Sequence, residues 1–250
     1  LIRTTTWTTS RDADLNADFA GINFYDGQGI LVDMEAMGNP TSALDLDGAV
    51  ICVGIGTTTE GNIADYFAVN DMSYTAYNVA DPGAAKAAFE AGSCNAWTGD
   101  MSAMVAQKWG LDTSAVPNSA IMPELLSKEP LGAATRDNDD DWNDVVTWVW
   151  YGMVTAEEYG LNSSNYAAAD MTDPANERLL NNSLGLGTAT NPLSATWMQS
   201  VLSAVGNYGE AYDRSFCDGD GTFANCLIDR AGTANDLAAN GGLQYAPPMR

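Results

Sequence analysis

The sequence predicts an α/β fold built on mainly parallel sheet, and three observations carry that prediction. Residues 49 to 110 alternate apolar, β-branched runs with helical patterns in the order β-α-β-α-β-α, the layout of parallel strands covered by helices. The run Ile51-Cys52-Val53-Gly54-Ile55-Gly56-Thr57-Thr58-Thr59-Glu60 reads as a buried strand, a glycine turn and a capped helix start. Of 250 residues, 46% are hydrophobic, enough for one large domain or two lobes with real cores.

Taken in order, Leu1 to Thr8 is rich in β-branched residues and predicts a strand that begins abruptly, as if part of a sheet lay upstream. Ser10-Arg11-Asp12 ends it. Arg11 at a Thr-rich strand end is well placed to grip a carboxylate, or to make an ordinary surface ion pair with Asp12 or Asp14. Ile22 to Val32 is extended, with Asp26-Gly27-Gln28-Gly29 predicting a bend or hinge inside it. Ser42 to Gly48 is a short helical turn. The strand at Ala49 follows, then a helix from Thr57 to about Asn70.

Strand, glycine turn and capped helix aim N–H groups and a positive dipole end at one point, which suits an anion. A plain strand-to-helix turn is the other reading. Ser73 to Val79 predicts the next strand. Asp81-Pro82-Gly83 starts an Ala-rich helix, with Asp as cap and Pro at the first position, and Gly92 ends it. Cys94 to Asp100 is a strand, and Met101 to Gly110 a helix. Ligands of parallel sheets bind beyond the carboxyl ends of the strands, where Gly56-Thr57-Thr58 and Asp100 both fall. An anion site and a carboxylate on one rim could hold both charges of a zwitterion; Asp100 could instead cap the following helix.

Ala120 to Met122 is a short strand. Ser127-Lys128-Glu129-Pro130 breaks that strand, and Leu131 to Thr135 is extended again, which looks like a second crossing between lobes. A helix with the stripe Trp142, Val145, Val146, Val149 and Met153 comes next. Another is predicted from Ala195 to Tyr212, with Trp197, Val201, Val205, Tyr208 and Tyr212 facing the core. Cys217 to Cys226 is a Gly-rich loop that a disulfide could close. Asp218 and Asp220 there resemble a calcium loop, but the bidentate Glu at its twelfth position is missing.

Composition excludes several functions. The net charge is −23, from 33 acidic and 10 basic residues, so nucleic acid and anionic membrane are poor partners. Such acidity fits salty surroundings, or simply an acidic extracytoplasmic protein. There is no histidine, which removes the Ser-His-Asp triad and the commonest zinc sites. No apolar run is long enough for a membrane span, and no signal peptide precedes the chain, which reads as mature, processed or a fragment. The four cysteines, none in a Cys-x-x-Cys pair, point to two disulfides and an oxidising compartment; four buried thiols are the alternative.

Several runs together resemble the general L-amino-acid-binding proteins of bacterial ABC importers. They are Arg3-Thr-Thr-Thr-Trp-Thr-Thr-Ser-Arg11-Asp12, Phe24-Tyr-Asp-Gly-Gln-Gly29, Gly56-Thr-Thr-Thr-Glu60 with Ala64-Asp-Tyr-Phe67, Ser127-Lys-Glu-Pro-Leu-Gly132, Asn207-Tyr-Gly-Glu210 and Tyr245-Ala-Pro-Pro. They span nearly the whole chain. The resemblance implies a two-lobed, type II periplasmic binding protein fold without metal or cofactor. Lobe one would be residues 1–24 and 132–250, incomplete at its N-terminus. Lobe two would be residues 25–131, with hinge strands at about 24–29 and 127–131.

It also implies an extracytoplasmic subunit that closes on a free L-amino acid and delivers it to membrane permease subunits, without inserting in the membrane itself. Arg11 would pair with the ligand α-carboxylate, helped by Thr6 and backbone N–H groups near Thr58. Asp100 would take the α-ammonium with help from the Thr4 carbonyl. Gly56, Thr57, Thr58 and Thr59 would line the same rim. Gly54-Ile55 departs from the polar residues usual in relatives, which bears on side-chain preference. The competing expectations are a dehydratase-like enzyme on the same fold, and a structural protein that has lost the site. The inferred strand order also puts Cys52 beside Cys94, and Cys217 and Cys226 at the ends of one short loop, predicting those two bridges.

Overall fold

The computed structural model describes the backbone of residues 1–250 and every side chain except those of Arg3 and Thr4. In chain order the elements are β1 (Ile2–Thr6), α1 (Thr9–Ala13), β2 (Ala17–Asp33), β3 (Ala49–Gly54), α2 (Thr58–Val69), β4 (Tyr74–Val79), α3 (Pro82–Glu90), β5 (Ala96–Asp100), α4 (Met101–Trp109) and β6 (Ser119–Ile121). They continue with β7 (Lys128–Arg136), α5 (Asp140–Glu158), α6 (Pro174–Leu180), β8 (Gly187–Thr188), β9 (Asn191–Pro192), α7 (Trp197–Val205) and α8 (Tyr208–Phe216). The chain divides into two compact units: Leu1–Tyr25 with Pro130–Arg250, and Asp26–Glu129. The strands β2 and β7 each run from one unit into the other.

In the unit Asp26–Glu129, β3 pairs in parallel with β4 and β5, while β2 runs antiparallel to β5 and β6. Alternate strand residues feed two cores. Ile30, Val32, Ile51 and Val53 pack with Ile63 and Phe67 of α2 on one face. Leu31, Cys52 and Trp97 pack with Phe89 of α3 and Met104 of α4 on the other. The helix starts follow the chemistry of their caps. Thr57 Oγ1 accepts the Glu60 N–H at α2, and Asp81 Oδ1 accepts the Ala84 N–H at α3, where Pro82 holds the first position. A disulfide joins Cys52 of β3 to Cys94 just before β5, with the Cα atoms 5.6 Å apart.

The other unit carries β1, antiparallel to β7, and a helical core. Trp197, Met198 and Leu202 of α7 and Tyr208 and Tyr212 of α8 are buried against Met153, Val154 and Ala156 of α5. Trp142, expected on the buried stripe of α5, is 45% exposed, because it lies in the first turn, ahead of the stretch that meets the core. A second disulfide closes Cys217 to Cys226. Arg230 is buried over the rings of Tyr208 and Phe223 and pairs with Glu157 and Asp236. Burial would oppose its charge, but the two carboxylates beside it more than compensate.

Four expectations are corrected. The segment 195–212 is two helices, because Gly206 takes φ +72° and Asn207 caps a new start; Val205, at the break, is 44% exposed. Gly27 and Gly29 do not interrupt β2, which runs unbroken over 17 residues. A Cβ at Gly27 would sit 2.9 Å from Leu125 Cδ2, and one at Gly29 2.9 Å from Met101 Cε, so these glycines admit neighbours rather than bend the strand. Pro130 likewise does not break β7; it lacks an N–H, and its carbonyl still accepts the Trp7 N–H. The strand expected over Leu1 to Thr8 stops at Thr6, and Ser10-Arg11-Asp12, which ends the extended run as expected, lies in the one-turn helix α1, capped by Thr8 Oγ1.

Candidate functional site

Two groups of the predicted residues gather, one in each unit. In the unit Asp26–Glu129, β3 and β5 are parallel neighbours, so Gly56 to Thr59 lie just beyond, and Asp100 at, the same end of the sheet, where Asp100 is the last residue of β5 and pairs with Gln28. Gly56 takes φ +69°, the left-handed conformation that glycine adopts without strain. Its N–H donates to Glu60 Oε2 at 2.8 Å, so the turn folds back on the first turn of α2. Thr57 Oγ1 donates to the Gly54 carbonyl at 2.8 Å and lies 2.7 Å from Thr59 Oγ1. The Thr58 hydroxyl donates to Glu129 Oε2 at 3.0 Å. The Thr58 hydroxyl is thus engaged by the protein, and what the turn has to offer an anion is backbone N–H at a helix N-terminus.

Asp100 stands at the N-cap position of α4, yet its side chain makes no capping hydrogen bond. That task falls to Asp26, on β2. The carboxylate of Asp26 accepts the Ser102 hydroxyl and, at 3.3 Å, the Ser102 N–H, as well as the Gly27 N–H at 2.8 Å. Burial raises its pKa from the ordinary aspartate value, the hydrogen bonds from Ser102 and Gly27 pull it back in part, and the charge of Glu129 pushes it up further.

In the other unit, Arg11 of α1 is half-buried and its Nη1 donates to the Thr6 carbonyl at 2.9 Å. Thr6 is buried at the end of β1. Thr4 lies on the same strand, and its side chain is outside the described residues. A short helix, rather than a strand end, therefore presents Arg11, and its sequence signal was the capping Thr8 three residues before it.

Sequence reasoning missed Asp26, Gln28 and Glu129. Glu129 is 1% exposed and accepts from Thr58, from Asn62 Nδ2 at 2.7 Å and from Ser127 Oγ at 2.6 Å. Gln28 is fully buried and its Nε2 donates to the Thr59 carbonyl and to Thr98 Oγ1. Polar residues flanked by glycine or proline in a strand were the available signal. The carboxylates of Asp213, Asp218 and Asp220 approach within 4.8 Å of one another, but Asp213 accepts the Gly221 and Phe223 N–H groups and Asp220 accepts from Thr222, which orders the loop. No helix among the described residues is long and apolar enough to cross a membrane.

No protein-family model matches the chain. It is similar to the glutamate/glutamine/aspartate/asparagine-binding protein BztA of Rhodobacter capsulatus, with 40% identity over 255 residues, all of this chain and 71% of that protein. It is similar to the general L-amino acid-binding periplasmic protein AapJ of Rhizobium johnstonii, with 38% identity over 252 residues, again all of this chain and 71% of the relative. A solved ABC transporter periplasmic binding protein from Brucella ovis with glutathione bound superposes with a TM-score of 0.87 at 38% identity, over 99% of this chain and 77% of that one.

Proposed function

The chain belongs to the periplasmic amino-acid-binding proteins of ABC transporters, and from that membership we propose that it captures an α-amino-acid head group and delivers it to permease subunits. In this reading Arg11 pairs with the α-carboxylate, helped by Thr6. Asp100 takes the α-ammonium, and backbone N–H groups of Thr57, Thr58 and Thr59 meet the carboxylate, with Gly56 shaping the turn that presents them. The Thr4 carbonyl assists with the ammonium. The observation that carries this reading is that the α2 N-terminus lies beyond, and Asp100 at, the same end of neighbouring parallel strands. A donor end and a carboxylate on one rim match a zwitterion and would serve no purpose for a neutral sugar. Capture needs no bond to be made or broken, so these groups act as binding residues and none as a catalyst.

Glutathione is a second candidate, because the Brucella ovis relative holds it. Its γ-glutamyl end keeps a free α-ammonium and α-carboxylate, so both candidates offer the same two charges. Calorimetric titration of the chain with L-glutamate, L-glutamine, L-leucine, glutathione and a neutral sugar tests the reading. Saturable heat from an L-amino acid or from glutathione, and none from the sugar, is the expected result. Sugar binding alone would overturn it.

A further inference from the structure

The two crossing strands carry polar anchors on adjacent residues. At the first crossing the unit boundary falls between Tyr25 and Asp26. Tyr25 is held on both sides by Asn235, whose Oδ1 accepts the Tyr25 N–H at 2.7 Å and whose Nδ2 donates to the Tyr25 carbonyl at 2.9 Å. Asp26 is held by Ser102, in the first turn of α4. At the second crossing the boundary falls between Glu129 and Pro130. The Pro130 carbonyl accepts the Trp7 N–H at 2.8 Å. Glu129 is held by Thr58 and Asn62, one turn apart on α2. Gln28, on the same face of β2 as Asp26, adds a bond to the Thr59 carbonyl.

Both helices tied in this way begin at the proposed amino-acid rim. Glu129 is buried and Asp26 half-buried, and a carboxylate withdrawn from water at a strand crossing stabilises little for its own sake, since it must be desolvated and then hydrogen-bonded. Hydrogen bonds to its charge are, however, the stronger kind, and they fix geometry. We propose that Asp26 and Glu129 are positioning residues for ligand capture: Glu129 fixes the first turn of α2 to β7, and Asp26 fixes the first turn of α4 to β2. Rim and crossing then move together, and the groups that receive the amino acid are pre-organised before it arrives. This inference rests on the binding reading above.

The test uses the full chain with the shape-conserving variants Glu129→Gln and Asp26→Asn. Amide hydrogen exchange of the free protein should rise about tenfold at Thr59 to Asn62 in Glu129→Gln, with β3 and β5 unchanged, as expected for a local opening that loses one charge-assisted bond. The same rise is expected at Ser102 to Met104 in Asp26→Asn. Affinity for L-glutamate, L-glutamine, L-aspartate or L-asparagine, whichever binds best, should fall about tenfold through faster release in either variant. Thr58→Val combined with Glu129→Gln should lose no more affinity than the worse single variant, because the two groups act as one. Additive losses, unchanged affinity, or exchange that rises equally in every strand would overturn the proposal. If the unaltered chain binds none of the four probes, and neither L-leucine nor glutathione, the binding reading fails. Exchange then decides the clamp alone: a local rise keeps it and an unchanged first turn removes it.

Discussion

Asn207 and Glu210 cap one another: Asn207 Oδ1 accepts the Glu210 N–H at 2.9 Å, and Glu210 Oε2 accepts the Asn207 N–H at 2.8 Å. This reciprocal pair starts α8 and turns the predicted single helix into two. Burial pushes the Glu210 pKa up, but hydrogen bonds from Ser163 and from the Asn207 N–H outweigh it, and the net pKa is below the ordinary value. A depressed carboxylate contributes stability that is present above its unfolded pKa and lost as pH falls through its folded pKa. Glu210→Ala should therefore cost about 1 kcal/mol at neutral pH. The gap in melting temperature between the variant and the parent should close on acidification below the ordinary glutamate pKa, and a gap independent of pH would refute the assignment.

The disulfides should differ in worth. Cys52–Cys94 spans 42 residues and Cys217–Cys226 spans 9. Loop-closure entropy assigns about 4 kcal/mol to the first and about 2.5 kcal/mol to the second. Replacing both cysteines of each pair by alanine, and comparing urea midpoints, checks the order. A larger loss from the 217–226 pair would show that native-state strain, not chain entropy, sets the difference.

Salt should stabilise the protein. Thirty-three acidic residues face ten basic ones, and the ion pairs among the described residues are Lys86–Glu90, Arg230–Glu157 and Arg230–Asp236. The excess of 23 negative charges repels itself, and that repulsion is screened over about 10 Å at 0.1 M salt. The melting temperature should climb from dilute buffer to molar sodium chloride. A flat or falling trend would contradict this.

Binding should be lost with either proposed charge. Removing one partner leaves a ligand charge desolvated and unpaired, so Arg11→Ala and Asp100→Asn should each cost ~2–5 kcal/mol of affinity. Asp100→Asn is the sharper probe, since it keeps the shape and α4 is capped by Asp26 rather than by Asp100. Titration calorimetry with unchanged affinity in Asp100→Asn would remove it from the site.

What the sequence revealed divides along physical lines. The run from β3 to α4 was legible because each boundary has a local cause: Gly56 with positive φ, Thr57 and Asp81 as caps, Pro82 at a helix start. The division of 195–212 was concealed because an apolar stripe continues in register across Gly206, and only the Asn207/Glu210 box marks the break. Gly27 and Gly29 misled because a glycine that bends a strand and one that admits Leu125 or Met101 look alike until the neighbours are known. Of the candidate site, the threonine turn, Arg11 and Asp100 could be read from motif and resemblance. Asp26 and Glu129 showed only as polar residues beside Gly27 and Pro130, since the helix residues that hold them, Ser102 and Thr58, lie 76 and 71 residues away along the chain.

The unit Asp26–Glu129 is one continuous segment, whereas the other is assembled from two. A chain that emerges N-terminus first therefore presents Cys52 and Cys94 together with every strand between them before Cys217 exists to compete. Four cysteines allow three pairings, and order of emergence selects the one the fold uses. The second bridge then closes a loop of nine residues whose ends cannot stray far. Oxidation that follows synthesis should reach the native pairing without reshuffling, whereas refolding from the fully reduced chain, with all four thiols released at once, has to find it by exchange.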